Sequence, residues 1–247
     1  MNGEHPTGKK LSPLKVLPAL AILAALGVSC SPRAALTILP DSSMTWEISV
    51  PIEKAPSEFI ASSTGGIAGA PVFNAGVLES RLKRRGFTAV SVTSATDTLL
   101  AFTARADSAK AVFASAPGVF SFTPKTPRNS ASLRISIDHS TVGELLALFP
   151  PETVEYLDFF FAPLFTGEVM SQNDYIGVIE AVYGRGMAEA LKKSVVSIAF
   201  VLPGQVSTVQ SPAFVNTSTG GNKATLSMPL GALLSATETL SFNLEWK

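Results

Sequence analysis

Three observations predict an α+β chain with antiparallel sheets and packed helices. Residues 44–50 (MTWEISV) set Met44, Trp46, Ile48 and Val50 against Thr45, Glu47 and Ser49, the period-two alternation of a half-buried strand. Leu240, Phe242, Leu244 and Trp246 repeat that alternation near the end of the sequence. Between 44 and 122 the elements run strand, helix, strand, strand, helix, strand, the order of the split βαβ, ferredoxin-like pattern.

The elements follow in order. Residues 30–43 read as a tether leading into a short strand at Ala35–Leu39, with a turn at Pro40, Asp41 and two serines. Residues 51–74 are rich in proline and glycine and read as a loop with a short helix near Ser57–Ala61. Asn74 is placed to cap a helix from Ala75 to Arg85, where Val77, Leu78 and Leu82 share a face. Its basic last turn suits the helix dipole, and Gly86 suits the residue after the cap. Phe87–Thr93 and Thr98–Ala104 form a strand pair around a Thr96-Asp97 turn. Asp107 is expected to cap a helix over Ser108–Ala116, and Val119–Phe122 is a short strand.

The polar, proline-rich stretch 123–131 suggests a boundary between subdomains 44–122 and 123–247. Beyond it come a strand at Leu133–Ile137, a capped helix at Thr141–Phe149 and an apolar segment at Glu152–Phe165. A long helix is expected from Ser171 to about Ser194, with Gly184 and Gly186 as points of interruption. Val195–Leu202 is an apolar strand. Pro203-Gly204 turns into a strand at Gln205–Val209, which Ala213–Val215 would continue. Gly220-Gly221-Asn222 is a hairpin turn before Lys223–Met228, and a short helix at Pro229–Leu234 precedes the last strand.

Composition narrows the function. The 247 residues carry nineteen basic and nineteen acidic side chains, 15 % charged residues and 46 % hydrophobic ones. Loss of residues 1–29 would remove Lys9, Lys10, Lys15 and Glu4, leaving sixteen basic and eighteen acidic groups, near −2. That balance argues against a nucleic-acid partner, which needs a concentrated positive surface. Low charge with high apolar content leaves apolar area to be placed in a core, a ligand cavity, a membrane surface or a partner. Cys30 is the single cysteine, so no disulfide forms within the chain. Beyond residue 29 the one histidine is His139, too few nitrogen and sulfur ligands for a zinc or iron site. No metal, cofactor or catalytic set is expected, and the chain reads as a non-enzyme.

The first thirty residues form an address. Lys9, Lys10 and Lys15 precede VLPALAILAAL at Val16–Leu26, an apolar run of eleven residues. A bilayer span needs ~20, so this is a signal-peptide h-region. Gly27, Val28, Ser29 and Cys30 then resemble the bacterial lipobox, with Gly27 where leucine is usual and Leu26 one residue earlier. That relaxed form is similar to spirochaetal precursors. The resemblance implies cleavage before Cys30 and lipidation of its thiol, with the domain in the cell envelope facing the periplasm or the exterior. A second acyl chain makes such an anchor stable, because each buried methylene adds ~0.8 kcal/mol.

Tyr156, Phe159, Phe160, Phe161 and Phe165 form the main candidate site. Three consecutive phenylalanines cannot share one helix face. Either the helix is buried on nearly all sides, or part of it contacts a lipid, an apolar ligand or a membrane. The run Asp138-His139-Ser140 is read as a loop and helix cap rather than a triad, since neighbours on a strand end point apart. The glycine stretch 63–69 lacks the Gly-Lys-Ser/Thr ending of a phosphate loop and reads as a flexible loop.

The strand–helix–strand–strand–helix run, Leu-Pro-Gly at 202–204 before a strand, and Met-Pro-Leu at 228–230 with a late Trp246 are similar to the LppM-like lipoproteins of actinobacteria and cyanobacteria. The resemblance covers about half of the chain after Cys30. It implies an envelope protein with a β-rich, ligand-accommodating domain and carries over no functional residue. Two functions are therefore expected as alternatives: a membrane-anchored module for a lipid or apolar ligand, or an envelope scaffold that uses its apolar surface on a protein partner.

The anchor makes the first prediction. Cells grown with radiolabelled palmitate should label the native chain and leave Cys30→Ala unlabelled. Label retained on the variant would place the acyl group elsewhere.

Overall fold

A computed structural model describes residues 31–53, 57–58, 74–126, 130–146 and 162–247. The chain enters through β1 (Arg33–Ile38) and returns antiparallel as β2 (Met44–Pro51), with Ile38 opposite Met44. The turn between them is held by Asp41, whose Oδ1 accepts from the Ser43 backbone at 2.9 Å and its hydroxyl at 2.7 Å. Ser42 takes a left-handed φ of 67° there. The short strand expected at Ala35–Leu39 thus runs over Arg33–Ile38 and is built into a sheet.

Helix α1 (Ala75–Arg84) is capped by Asn74, whose side chain accepts from the Val77 amide, and buries Leu78 and Leu82. Gly86 follows with φ 96°, a conformation that favours a residue without Cβ. Strands β3 (Ala89–Ala95) and β4 (Leu99–Ala106) form the expected hairpin. The cap of α2 (Ala109–Ala114) is Ser108 and not Asp107: the Ser108 hydroxyl accepts from Ala111, while Asp107 accepts from the Thr88 hydroxyl.

Strand β5 (Phe120–Thr123) leads to β6 (Ala131–Ile137) and the short α3 (Val142–Leu146). After α4 (Pro163–Thr166), the expected long helix is two helices, α5 (Gln172–Tyr183) and α6 (Arg185–Lys193). Gly184, at φ 84° and ψ 165°, breaks the helical path between them. The remainder is β7 (Val195–Val201), β8 (Val206–Gln210), β9 (Asn216–Gly220), β10 (Lys223–Pro229), α7 (Leu230–Leu234) and β11 (Leu240–Trp246). Residues 211–215 do not extend β8. They carry the chain from one sheet to the other.

These strands make two open sheets, and the α+β class stands. The larger runs β3-β4-β2-β1-β7-β10-β9 and the smaller β5-β6-β11-β8. Among the described strands every pairing is antiparallel except β1 with β7. The order β3-β4-β2 is the one a split βαβ motif requires. The place of its fourth strand is taken by β1, and β5 pairs with β6 in the other sheet. The adjacent β1–β2 hairpin closes a short loop and fills the edge of β2 before a distant strand must return to it. The larger sheet also crosses the proline-rich stretch at 123–131, because β1 joins strands from both sides of it.

Alternation decides which faces meet. Leu36 stands opposite Trp46 on one side and Phe200 on the other, on the inward face of the larger sheet. Leu240, Phe242, Leu244 and Trp246 face inward from the smaller one, as their spacing predicts. Both faces, with Leu78 and Leu82 of α1 and Val112 and Phe113 of α2, form one continuous apolar core. A second, smaller core lies among α4 to α7 around Tyr175, Ile179, Met187 and Leu191.

Leu244 is fully buried and sits opposite both Leu133 and Val209. Leu244→Ala should lower unfolding stability by about 2–5 kcal/mol, the range for a truncated core leucine. Urea denaturation checks it, and a loss under about 1 kcal/mol would mean that the core repacks around the gap.

Candidate functional site

Cys30, Tyr156, Phe159, Phe160 and Phe161 lie outside the described residues, as does the glycine stretch 63–69. Phe165 is described. It is half-buried on α4 and packs against the smaller core. Gly167 closes α4 in the left-handed conformation and leaves room for the His139 ring beside it.

The Asp138-His139-Ser140 run is a cap. Asp138 Oδ1 accepts from the Ser140 hydroxyl at 2.7 Å and from the Thr141 amide at 2.9 Å, while the Asp138 amide donates to Thr141 Oγ1. Its other oxygen accepts from the Thr239 hydroxyl at 3.1 Å, which pins the approach to β11 onto the start of α3. The hydrogen bond from Ser140, followed by those from Thr141 and Thr239, brings the Asp138 carboxyl down to about 2. Among the described residues, no three of His, Cys, Asp and Glu come together.

Helix α5 is apolar on more than its inner face. Tyr175, Ile176 and Ile179 are buried, whereas Val178 and Val182, one turn apart, are 38 % and 59 % exposed. Burial, then the neighbouring Tyr183, pushes the Tyr175 hydroxyl well above the usual phenol range, so it remains neutral. No helix among the described residues is long and apolar enough to cross a membrane.

A pocket that no residue pattern marks lies at one end of the space between the sheets. It measures about 260 Å³ and is walled by Ile38, Leu39, Pro40, Phe122, Pro203 and Trp246, among others. An aromatic row leads to it: Phe113 lies 5.5 Å from Phe122 between ring centroids, and Phe122 stacks at 6.2 Å on Trp246. The Trp246 indole Nε1 is buried with no hydrogen-bond partner among the described residues, which is uncommon for an interior N–H. Close approach of Gly204 to the Lys247 carbonyl secures this corner, since a Cβ there would overlap that oxygen. A larger cleft lies on the other side of the smaller sheet's edge strand, between residues 210–214 and 235–243. The strand pattern of 240–246 was legible in the sequence. The meeting of segments around 40, 122, 203 and 246 was not, because it depends on how the two sheets stack.

The fold defines a class, an α+β protein of two open sheets with a helical annex. Comparison with known proteins adds one likeness. The chain is similar to the folded domain of the Mycobacterium tuberculosis LppM protein, solved by NMR, at a TM-score of 0.35 and 12 % identity over 89 % of this chain and 93 % of that one. No protein-family model matches the chain, and no curated protein does.

The depressed Asp138 carboxyl sets a pH response. Its folded value lies below the unfolded one, so its contribution to stability is complete above about pH 4 and is lost as pH falls toward 2. Asp138→Asn should flatten the fall in urea midpoint between pH 4.5 and 2.5 relative to the native chain. Equal slopes in the two proteins would assign that fall to other carboxylates.

Proposed function

We propose that this chain is a lipid-anchored module of a bacterial cell envelope, with Cys30 carrying the lipid and the domain facing the periplasm or the exterior. It holds a lipid or another apolar ligand and catalyses no reaction. The observation that carries the reading is the inter-sheet pocket: apolar walls from Ile38, Pro40, Phe122 and Trp246 mixed with polar ones that include Ser42 and Lys125, Leu39 46 % exposed at its rim, and a buried indole donor beside it with no acceptor among the described residues. Pockets for small ligands combine apolar walls with polar groups that fix orientation. Low charge and the aromatic segment support the same reading. Tyr156, Phe159, Phe160, Phe161 and Phe165 are its further contact candidates.

A second reading, an envelope scaffold that docks a protein partner, is favoured by the Val178 and Val182 surface of α5. Native mass spectrometry with lipid extraction separates the two. Under the first reading the chain from a bacterial host carries a stoichiometric lipid, and Leu39→Glu, a change at a half-exposed position, releases most of it. An empty monomer, or a lipid held equally by the variant and by Phe160→Ser, overturns the assignment and transfers support to the scaffold.

A further inference from the structure

The pocket between the sheets carries two strong hydrogen-bond donors, and their chemistry selects among apolar ligands. One is the Trp246 indole. The residue is 1 % exposed, and its Nε1 is the one buried side-chain nitrogen or oxygen without a hydrogen-bond partner among the described residues. The ring is held firmly. Phe122 stacks on it at 6.2 Å, and Trp246 stands in register between Ala131 of β6 and Val206 of β8. Its Cδ1, bonded to Nε1 in the ring, lies 3.4 Å from where a Cβ on Gly204 would stand. The polar edge of the indole therefore lies toward the 203–204 turn, whose Pro203 is part of the pocket wall. An interior N–H without an acceptor destabilises the fold, and an acceptor entering from the pocket removes that penalty.

The other donor is Lys125. It lines the same pocket from the exposed stretch after β5 and takes part in no ion pair among the described residues. Asp41 stands between two wall residues, Pro40 and Ser42, but its Oδ1 is turned to the Ser43 amide and hydroxyl. Size adds a further limit. At ~30 Å³ for each water-sized group, a volume of about 260 Å³ has room for about nine non-hydrogen atoms. That is too small for a two-chain lipid and enough for a short chain with one polar end.

We propose that this pocket takes a compact apolar acid, a monocarboxylate with a chain of about eight carbons. Its carboxylate accepts from Trp246 Nε1 and faces Lys125, and its chain packs against Ile38, Leu39 and Phe122. The proposal rests on the apolar-ligand reading of the same pocket and fixes the polar end of the ligand. An ionised carboxylate only accepts, while an indole and an ammonium only donate, so the two sides match without a surplus proton. Charge also strengthens both hydrogen bonds. An alcohol of equal length offers the oxygen without the charge, and an amine would set a second cation beside Lys125.

The test is calorimetric titration of the full chain in phosphatidylcholine nanodiscs, with empty discs as the blank. The probes are octanoate, octan-1-ol and octylamine. Octanoate should bind with unit stoichiometry, about tenfold tighter than octanol, with octylamine weakest. Lys125→Gln, at an exposed position, should weaken octanoate about threefold and leave octanol unchanged. Trp246→Phe keeps a ring against Phe122 but removes the N–H, and should weaken octanoate about tenfold. If that core variant does not fold, Lys125→Gln decides alone. Octanol or octylamine bound as tightly as octanoate overturns the acid and leaves the apolar-ligand reading standing. Unchanged octanoate affinity in the folded variants overturns it too. No binding of any probe at millimolar concentration also overturns it, and the apolar-ligand reading falls as well if native mass spectrometry finds no lipid.

Discussion

Backbone hydrogen bonding of one six-residue strand to two partners holds the molecule together. β1 lies at the middle of the larger sheet, antiparallel to β2 and parallel to β7. Without it the strands β2, β4 and β3 would form one ribbon and β7, β10 and β9 another, each with an exposed edge. An unpaired edge is a site for association with other chains, and β1 covers two of them at once. Its inward residues, Leu36 and Ile38, are buried, so the same strand also contributes to the apolar core beneath. The smaller sheet then has a continuous surface to pack on, and the inter-sheet pocket exists because that surface ends near Ile38.

Much of this architecture was legible from residue pattern. The strands β2 and β11 alternate cleanly, the β3–β4 and β9–β10 turns carry their usual residues, and Asn74 and Ser171 cap the helices that follow them. These features depend on neighbours within a few positions. The fourth strand of the split βαβ pattern was misplaced because the rule counts elements and cannot weigh two strands competing for one edge. The first strand was legible as a short apolar run at Ala35–Leu39, but its central place in the sheet was not. Its partner β7 lies more than 150 residues away, and nothing local marks that pairing. The long helix from Ser171 was half right: its apolar spacing is continuous, but Gly184 takes a conformation that ends one helix and starts the next.

The binding surfaces were harder to read than the fold. The indole of Trp246 looks like any other inward residue of the last strand. Its N–H, buried with no partner among the described residues, becomes distinctive only through packing. The pocket near Trp246 likewise joins a hairpin, a strand end, a turn and the last strand. By contrast the turn at 138–140 was legible as a loop and cap, since its hydrogen bonds are local, although the acceptor is Asp138 and not Ser140 or Thr141.

The position of β1 would also set the mechanics of the anchor proposed at Cys30. Three peptide steps separate Cys30 from Arg33, a reach of at most about 10 Å at full extension. A lipid on that cysteine would hold the domain close against the bilayer, with little freedom to tumble or to reach across the envelope. Any pull on such a lipid would load the central strand along its length and be shared by two ladders in shear, so the leash would attach where the sheet resists extraction best.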